Sequence, residues 1–189
     1  MDPFSLEHSK AAYFTDFGAY ATAVAGLTAF LVVAGPQSDR LTLIALVAAG
    51  LAAWTLAEYV LHRFVLHGLP PFRSWHRRHH QRPTALICTP TLLSASLIGA
   101  LVTVPAGFLG GRWVACALTL GVSCGYLVYA ITHHATHHWR PRGTWLRERK
   151  RWHARHHLGE RPGCYGVTGE FWDRVFGTAT RRTQPIPSP

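Results

Sequence analysis

Thirteen histidines stand in 189 residues, and twelve of them fall into four clusters. The first, "HRFVLH", carries His62 and His67, and the second, "HRRHH", carries His76, His79 and His80. The third, "HHATHH", carries His133, His134, His137 and His138; the fourth, "HARHH", carries His153, His156 and His157. Neutral imidazole is a ligand for iron, zinc, copper and nickel. In the two H-x-x-H-H clusters the rings stand at i, i+3 and i+4, one face of a helix, so each is expected to offer three nitrogens to one small volume. His62 and His67 lie about 140° apart on a straight helix. They serve different ions or lie where the helix breaks, near Gly68 and the "LPP" turn. The third cluster holds two stripes at helical spacing, His133/His137 and His134/His138, offset by about 100°. Both are not expected to face one site.

Carboxylates narrow the chemistry. Beyond the second apolar stretch the histidines' side offers Glu148, Glu160, Glu170 and Asp173, with Glu58 just inside that stretch. No Glu-x-x-His pair occurs, which argues against a ferritin-like carboxylate di-iron bundle. No H-E-x-x-H occurs, which argues against a zincin. What remains is a two-metal site whose ligands are almost all histidine. His8 stands alone and reads as a solvated residue. "RERKRWHARHHLGER" by itself would suit a membrane surface or a nucleic acid. A histidine pair at the end of an apolar stretch followed by H-x-x-H-H occurs twice, however, and that doubling favours metal over nucleic acid.

Four apolar stretches must position these clusters: about 17–35, 41–61, 86–110 and 113–131. Each approaches the ~20 residues that cross a ~30 Å hydrocarbon core as helix. The third contains Pro90 and Pro105, which membrane helices tolerate when neighbours satisfy the backbone. A chain this short has too little amphipathic helix to bury four such stretches as a soluble core. Four spans place both termini and the histidines on one side. The two short turns opposite hold only Arg40 and Arg112, so 17 of the 19 Lys and Arg residues share the histidines' side. That imbalance makes it cytoplasmic. Arg outnumbers Lys 17 to 2, a bias of GC-rich bacterial genomes, so the expected home is a bacterial inner membrane. Cys88, Cys116, Cys124 and Cys164 show no C-x-x-C spacing and read as small hydrophobes. The opening residues lack the pattern of a cleaved signal. The expected architecture is all-α and integral to the membrane, one domain over 1–189. Its four transmembrane helices carry a cytoplasmic histidine-rich helical cap (62–85 and 132–180) that holds a dimetal site. Glu58, ionisable inside a span, is expected to have a partner. Ala48, Ala49, Gly50, Ala52 and Ala53 suit close helix packing.

Over about 54–178 these blocks resemble the fatty acid hydroxylase/sterol desaturase superfamily of integral-membrane, histidine-rich di-iron proteins. "EYVLHRFVLHGLPP", "WHRRHHQRP", "YAITHHATHH" and "WHARHH" look like its four histidine blocks in order, and "YGVTGEFWDRVFGT" resembles its closing block. The family's Tyr-x-x-x-His-x-x-x-His spacing falls on Tyr129, His133 and His137, with Tyr126 out of phase. The resemblance thus implies His62, His67, His76, His79, His80, His133, His137, His153, His156 and His157 as metal ligands. Tyr129, His134 and His138 are left to support or accompany the site, and Glu58, Glu170 and Asp173 become candidates for orienting ligand rings through their outer nitrogens.

The same resemblance implies two iron ions, which zinc can replace on purification, and O2 as co-substrate. No cytochrome b5-like domain precedes the spans, so electrons are expected from a separate ferredoxin or cytochrome b5-like protein and its reductase. The implied reaction hydroxylates a membrane-embedded lipid chain, with a fatty acyl chain as the leading substrate. A carotenoid hydroxylase of the β-carotene type is the rival, on the short His67–His76 spacing and the brevity of the chain; a sterol-modifying oxidase is another. Outside the superfamily, a metal-binding or transport protein would want polar residues deep in several spans. A zinc hydrolase would want a general base beside the ligands. Neither feature is evident. Arg77, Arg78, Arg147, Arg149, Lys150, Arg151 and Arg155 form a basic surface suited to anionic lipid or to an acidic carrier protein.

Overall fold

In the computed structural model, which describes residues 7–158 and 163–180, the first long helix is α1 (Lys10–Ala34), opened by the Ser9 hydroxyl accepting from the Ala12 amide. It buries only Tyr13, Asp16 and Tyr20, one stripe at i, i+3 and i+7. The stripe is polar-tipped, while Phe30, Val32 and Val33 are exposed. A helix that hides its polar face and displays its apolar one suits a hydrocarbon solvent, where backbone bonds close within the helix. The helix begins seven residues before the apolar stretch read from sequence, so Asp16 lies inside it.

α2 (Arg40–Val60) runs straight into a π-turn, Leu61–Leu66. After α3 (Phe72–Gln81) come α4 (Thr91–Ile98), a second π-turn (Gly99–Thr103) and α5 (Val104–His138). α6 (Thr144–Leu158) and α7 (Phe171–Val175) complete the described chain. No strand occurs among the described residues beyond one isolated bridge, Glu7 to Ile87. Pro90 precedes α4 rather than interrupting a span, and Pro105 follows the second π-turn. A π-turn loosens the ladder just where proline cannot donate to it.

Among the described residues, three helical segments are long and apolar enough to cross a membrane: Lys10–Ala34, Gln37–Leu66 and Thr91–His138. The third is not straight. Gly111 has φ 77° and ψ −178°, outside helical space. The Thr103 and Thr119 hydroxyls, 16 residues apart, lie 2.8 Å from each other, whereas a straight helix would separate them by about 24 Å. The two limbs therefore lie side by side.

α2 and α5 approach until their backbones nearly touch. A Cβ added at Gly50 would lie 2.6 Å from the Leu118 carbonyl oxygen, and one at Gly121 would collide with the Val47 carbonyl. One at Gly125 would enter the Trp54 ring. Small residues at a crossing are how apolar helices pack without a hydrophobic driving force. Tyr20, Trp54, Val122 and Tyr126 fill the core beside this crossing. Locking α2 to α5 sets where their histidine-bearing ends emerge, and both emerge at the same end of the bundle.

Candidate metal centre

The first histidine pair is made by the π-turn. The His67 amide donates to the His62 carbonyl at 3.2 Å, an i to i+5 bond, so five residues come close to one full turn. The two rings are 5.2 Å apart; the wider winding of the π-turn, and not a break near Gly68, brings them together. They join His76, His80 and His156 in a cluster whose potential ligand nitrogens all lie within 4.8 Å of one another. Its Nε2 atoms meet at 3.0 Å (His62–His76 and His76–His80) and 3.1 Å (His67–His156 and His80–His156).

The second cluster is His79, His133, His137 and His153. His133 meets His79 at 3.1 Å and His137 meets His153 at 2.8 Å. His157 adjoins it, with Nε2 3.0 Å from that of His153 and its ring stacked on His80 at 4.1 Å. The expectation that each H-x-x-H-H serves one volume fails. His76 and His80 face one cluster while His79 faces the other, and in α6 the division is reversed. The reason is helical: i and i+4 share a stripe, and i+3 points to its flank.

Burial keeps these rings neutral. Outside the apolar helices, loss of hydration and then crowding by other imidazoles lower His79 to about 3, His80 to about 4 and His157 to about 2. His156 falls to about 3 for the same main reason, burial, and His76 and His153 lie well below the usual histidine range. Tautomers are fixed from outside at two rings. His62 Nδ1 donates to the Tyr165 carbonyl at 2.5 Å and His156 Nδ1 to the Gly163 carbonyl at 2.8 Å, which leaves each Nε2 lone pair aimed inward. Inward lone pairs about 3 Å apart repel one another, and a cation at ~2.0–2.1 Å from each would satisfy them. The donor set fits two histidine-bound metal ions. The Nδ1 atoms of His79, His153 and His157 are buried without a partner among the described residues.

The carboxylates act one step away from the rings. Asp173, fully buried, accepts from the Tyr165 amide (2.9 Å), the Gly166 amide (2.7 Å) and the Thr178 hydroxyl (2.7 Å). Glu58 accepts from the Val167 and Thr168 amides (2.6 and 2.9 Å) and the Thr168 hydroxyl (2.6 Å). Together they clamp the loop whose carbonyls hold His62 and His156, where direct contact with the rings was expected. Glu170 instead pairs with Arg174 at the surface, at 2.7 Å. Glu160 lies outside the described residues.

Tyr129 lies parallel to His133, centroids 5.9 Å apart. His134 and His138 stack on each other at 4.4 Å and belong to neither cluster. His134 Nδ1 meets the Tyr13 hydroxyl at 3.2 Å, tying α5 to α1. Of the expected basic surface, Arg77, Arg147, Arg151 and Arg155 are exposed. Arg149 is buried against Trp152, and Lys150 donates to the Thr136 and Trp139 carbonyls at the end of α5.

A cavity of about 80 Å³ reaches this centre, with His76, His79 and His133 in its wall. Tyr13, Asp16, Cys88 and Tyr126 also line it. The sequence reading missed these four; the available signal was Asp16, an ionisable residue one position before an apolar stretch.

A bundle of apolar helices ending in two histidine clusters defines a membrane-type protein able to hold metal beside a cavity that both clusters share. The chain belongs to the fatty acid hydroxylase family, whose family model matches residues 47–178. It is 33% identical over 149 residues to a dihydroceramide fatty acyl 2-hydroxylase of Arabidopsis thaliana, covering 70% of this chain and 60% of that one. It is 32% identical over 148 residues to the fatty acid 2-hydroxylase of Rattus norvegicus, covering 71% of this chain and 39% of the relative. A solved structure of full-length scs7p, in which only the hydroxylase domain is visible, matches with a TM-score of 0.78 and 28% identity. That match covers 97% of this chain and 71% of the other. The chain thus spans about 60% of the first relative's length.

Proposed function

We propose that this protein hydroxylates the acyl chain of a membrane lipid, at carbon 2 as the relatives' names suggest. The observation that carries the reading is the shared cavity: His76 of one cluster and His79 and His133 of the other stand in the wall of a single, largely apolar and aromatic space. Two irons held by the ten clustered histidines would, when bound, activate O2 with two electrons and two protons from a separate carrier, one oxygen atom entering the C–H bond and the other leaving as water. The chain's own residues do the rest. Tyr165 and Gly163 carbonyls keep the Nε2 lone pairs of His62 and His156 directed inward, and the Glu58 and Asp173 clamps keep those carbonyls in place. Cavity walls of Phe17, Phe72, Trp75 and Tyr129 would align the chain and exclude water.

The two limbs bent at Gly111 count as two spans in this reading, giving four. The histidine cap and both termini then lie on the cytoplasmic face of a bacterial inner membrane. Arg77, Arg147, Arg151 and Arg155 would steer an acidic ferredoxin or cytochrome b5-like donor. Expression with iron and a reductase system under 18O2, followed by lipid mass spectrometry, tests the proposal. Labelled 2-hydroxyacyl lipid is the expected product. Its absence from protein with both metal sites filled would overturn the reading.

A further inference from the structure

The cavity wall holds one acidic side chain that the histidine centre does not use. Asp16 is 3% exposed. Thr91, at the start of α4, donates to its Oδ1 at 2.7 Å, and Tyr126 of α5 donates to its Oδ2 at 3.2 Å. Tyr126 packs on Tyr20 with centroids 4.2 Å apart, and the Tyr20 hydroxyl donates to Ser94 at 2.8 Å. Three helices thus fix the orientation of one carboxylate. A carboxylate has about four acceptor positions, and the hydrogen bonds described fill two. An acid inside an apolar helix is costly, and joining Thr91 to Tyr126 needs no charge. Among the described residues, the cavity wall contains no Lys or Arg to neutralise it. The same wall ends on His76, His79 and His133.

We infer that Asp16 selects the substrate's head group, accepting a hydrogen bond from an N–H or O–H donor carried near the carbon to be oxidised and repelling a free carboxylate. The lipid is then taken as a neutral N-acyl amide and not as a free fatty acid. The inference rests on the acyl hydroxylase reading, and it adds the residue that chooses between two carriers of the same chain.

The test measures binding to metal-loaded protein in nanodiscs, with two probes of equal chain length: dihydroceramide and the free fatty acid. Asp16→Asn keeps the side chain's size and removes its charge. It should weaken dihydroceramide binding and strengthen fatty acid binding, cutting the ratio of affinities about tenfold or more. A merely structural Asp16 would shift both affinities by one factor, and that result overturns the inference. Metal content is read beside each value to report folding. Wild-type protein supplies a second measurement that needs no variant. Methylating the amide nitrogen and hydroxyls of dihydroceramide should weaken its binding about tenfold, and equal binding overturns the inference. Turnover under 18O2 is scored separately. Selective binding without hydroxylated product supports Asp16 as the selector while removing the hydroxylase reading; product without selectivity does the reverse.

Discussion

His137 and His138 are neighbours in the chain with opposite surroundings. His137 Nε2 faces that of His153 at 2.8 Å, while His138 is exposed and stacks on His134. Replacing His137 by Ala should remove about one of two bound metals, measured by elemental analysis, and His138→Ala should remove none. Equal losses would show that the two stripes are not divided as the geometry has them. Acid should act on the same rings. In the folded cap His79, His80 and His156 stay neutral down to about 3, 4 and 3, whereas an unfolded histidine protonates near 6.5. Between those values the unfolded chain binds more protons, so stability is complete above about pH 6.5 and is lost as pH falls toward the folded values. The melting temperature of metal-free protein should be level above that point and decline below it. A melting temperature that rises on acidification would contradict the burial of neutral rings. The sequence showed the two stripes of the third cluster because helical phase is a local property. It did not show that carbonyls of residues 163 and 165 orient the rings, since backbone carbonyls carry no residue signature.

At the scale of elements, the two closest devices are the π-turn and the glycine crossing. The 3.6-residue period placed His62 and His67 on different faces, and only a local change of winding could unite them. Nothing in "LHRFVL" announces a π-turn, so its form was illegible although a break had been anticipated nearby. The division of each H-x-x-H-H between two clusters was illegible for another reason: it depends on where the facing helix lies. The crossing was partly legible, since Gly50 sits among small residues, but its partners Gly121 and Gly125 become evident only once α5 is laid against α2. Gly121→Ala should force α2 and α5 apart and cost about 1–3 kcal/mol in thermal unfolding. Gly18→Ala, where an added Cβ meets nothing within 4 Å, should be neutral or slightly stabilising. Similar losses at both positions would refute the close crossing.

Across the whole molecule, the all-helical, apolar character was legible because long uncharged stretches admit few other folds. The fold-back at Gly111 was anticipated as a short turn between two stretches, while helical hydrogen bonding continues up to the bend. Its orientation is open to a direct measurement. Cysteines placed at Ser38 and Arg112 should react with an impermeant maleimide from the outer face of intact cells, and one at Arg155 only after lysis. Labelling of all three from one side would refute the four-span arrangement. The exchange of middle histidines between α3 and α6 bears, finally, on the order of synthesis. A ribosome that has released residues 1–143 has already made every long apolar helix. Yet it has supplied only His62, His67, His76 and His80 of the first cluster and His79, His133 and His137 of the second. Neither cluster can close until α6 arrives with His153 and His156, so the growing chain can settle its apolar helices with both histidine clusters still incomplete.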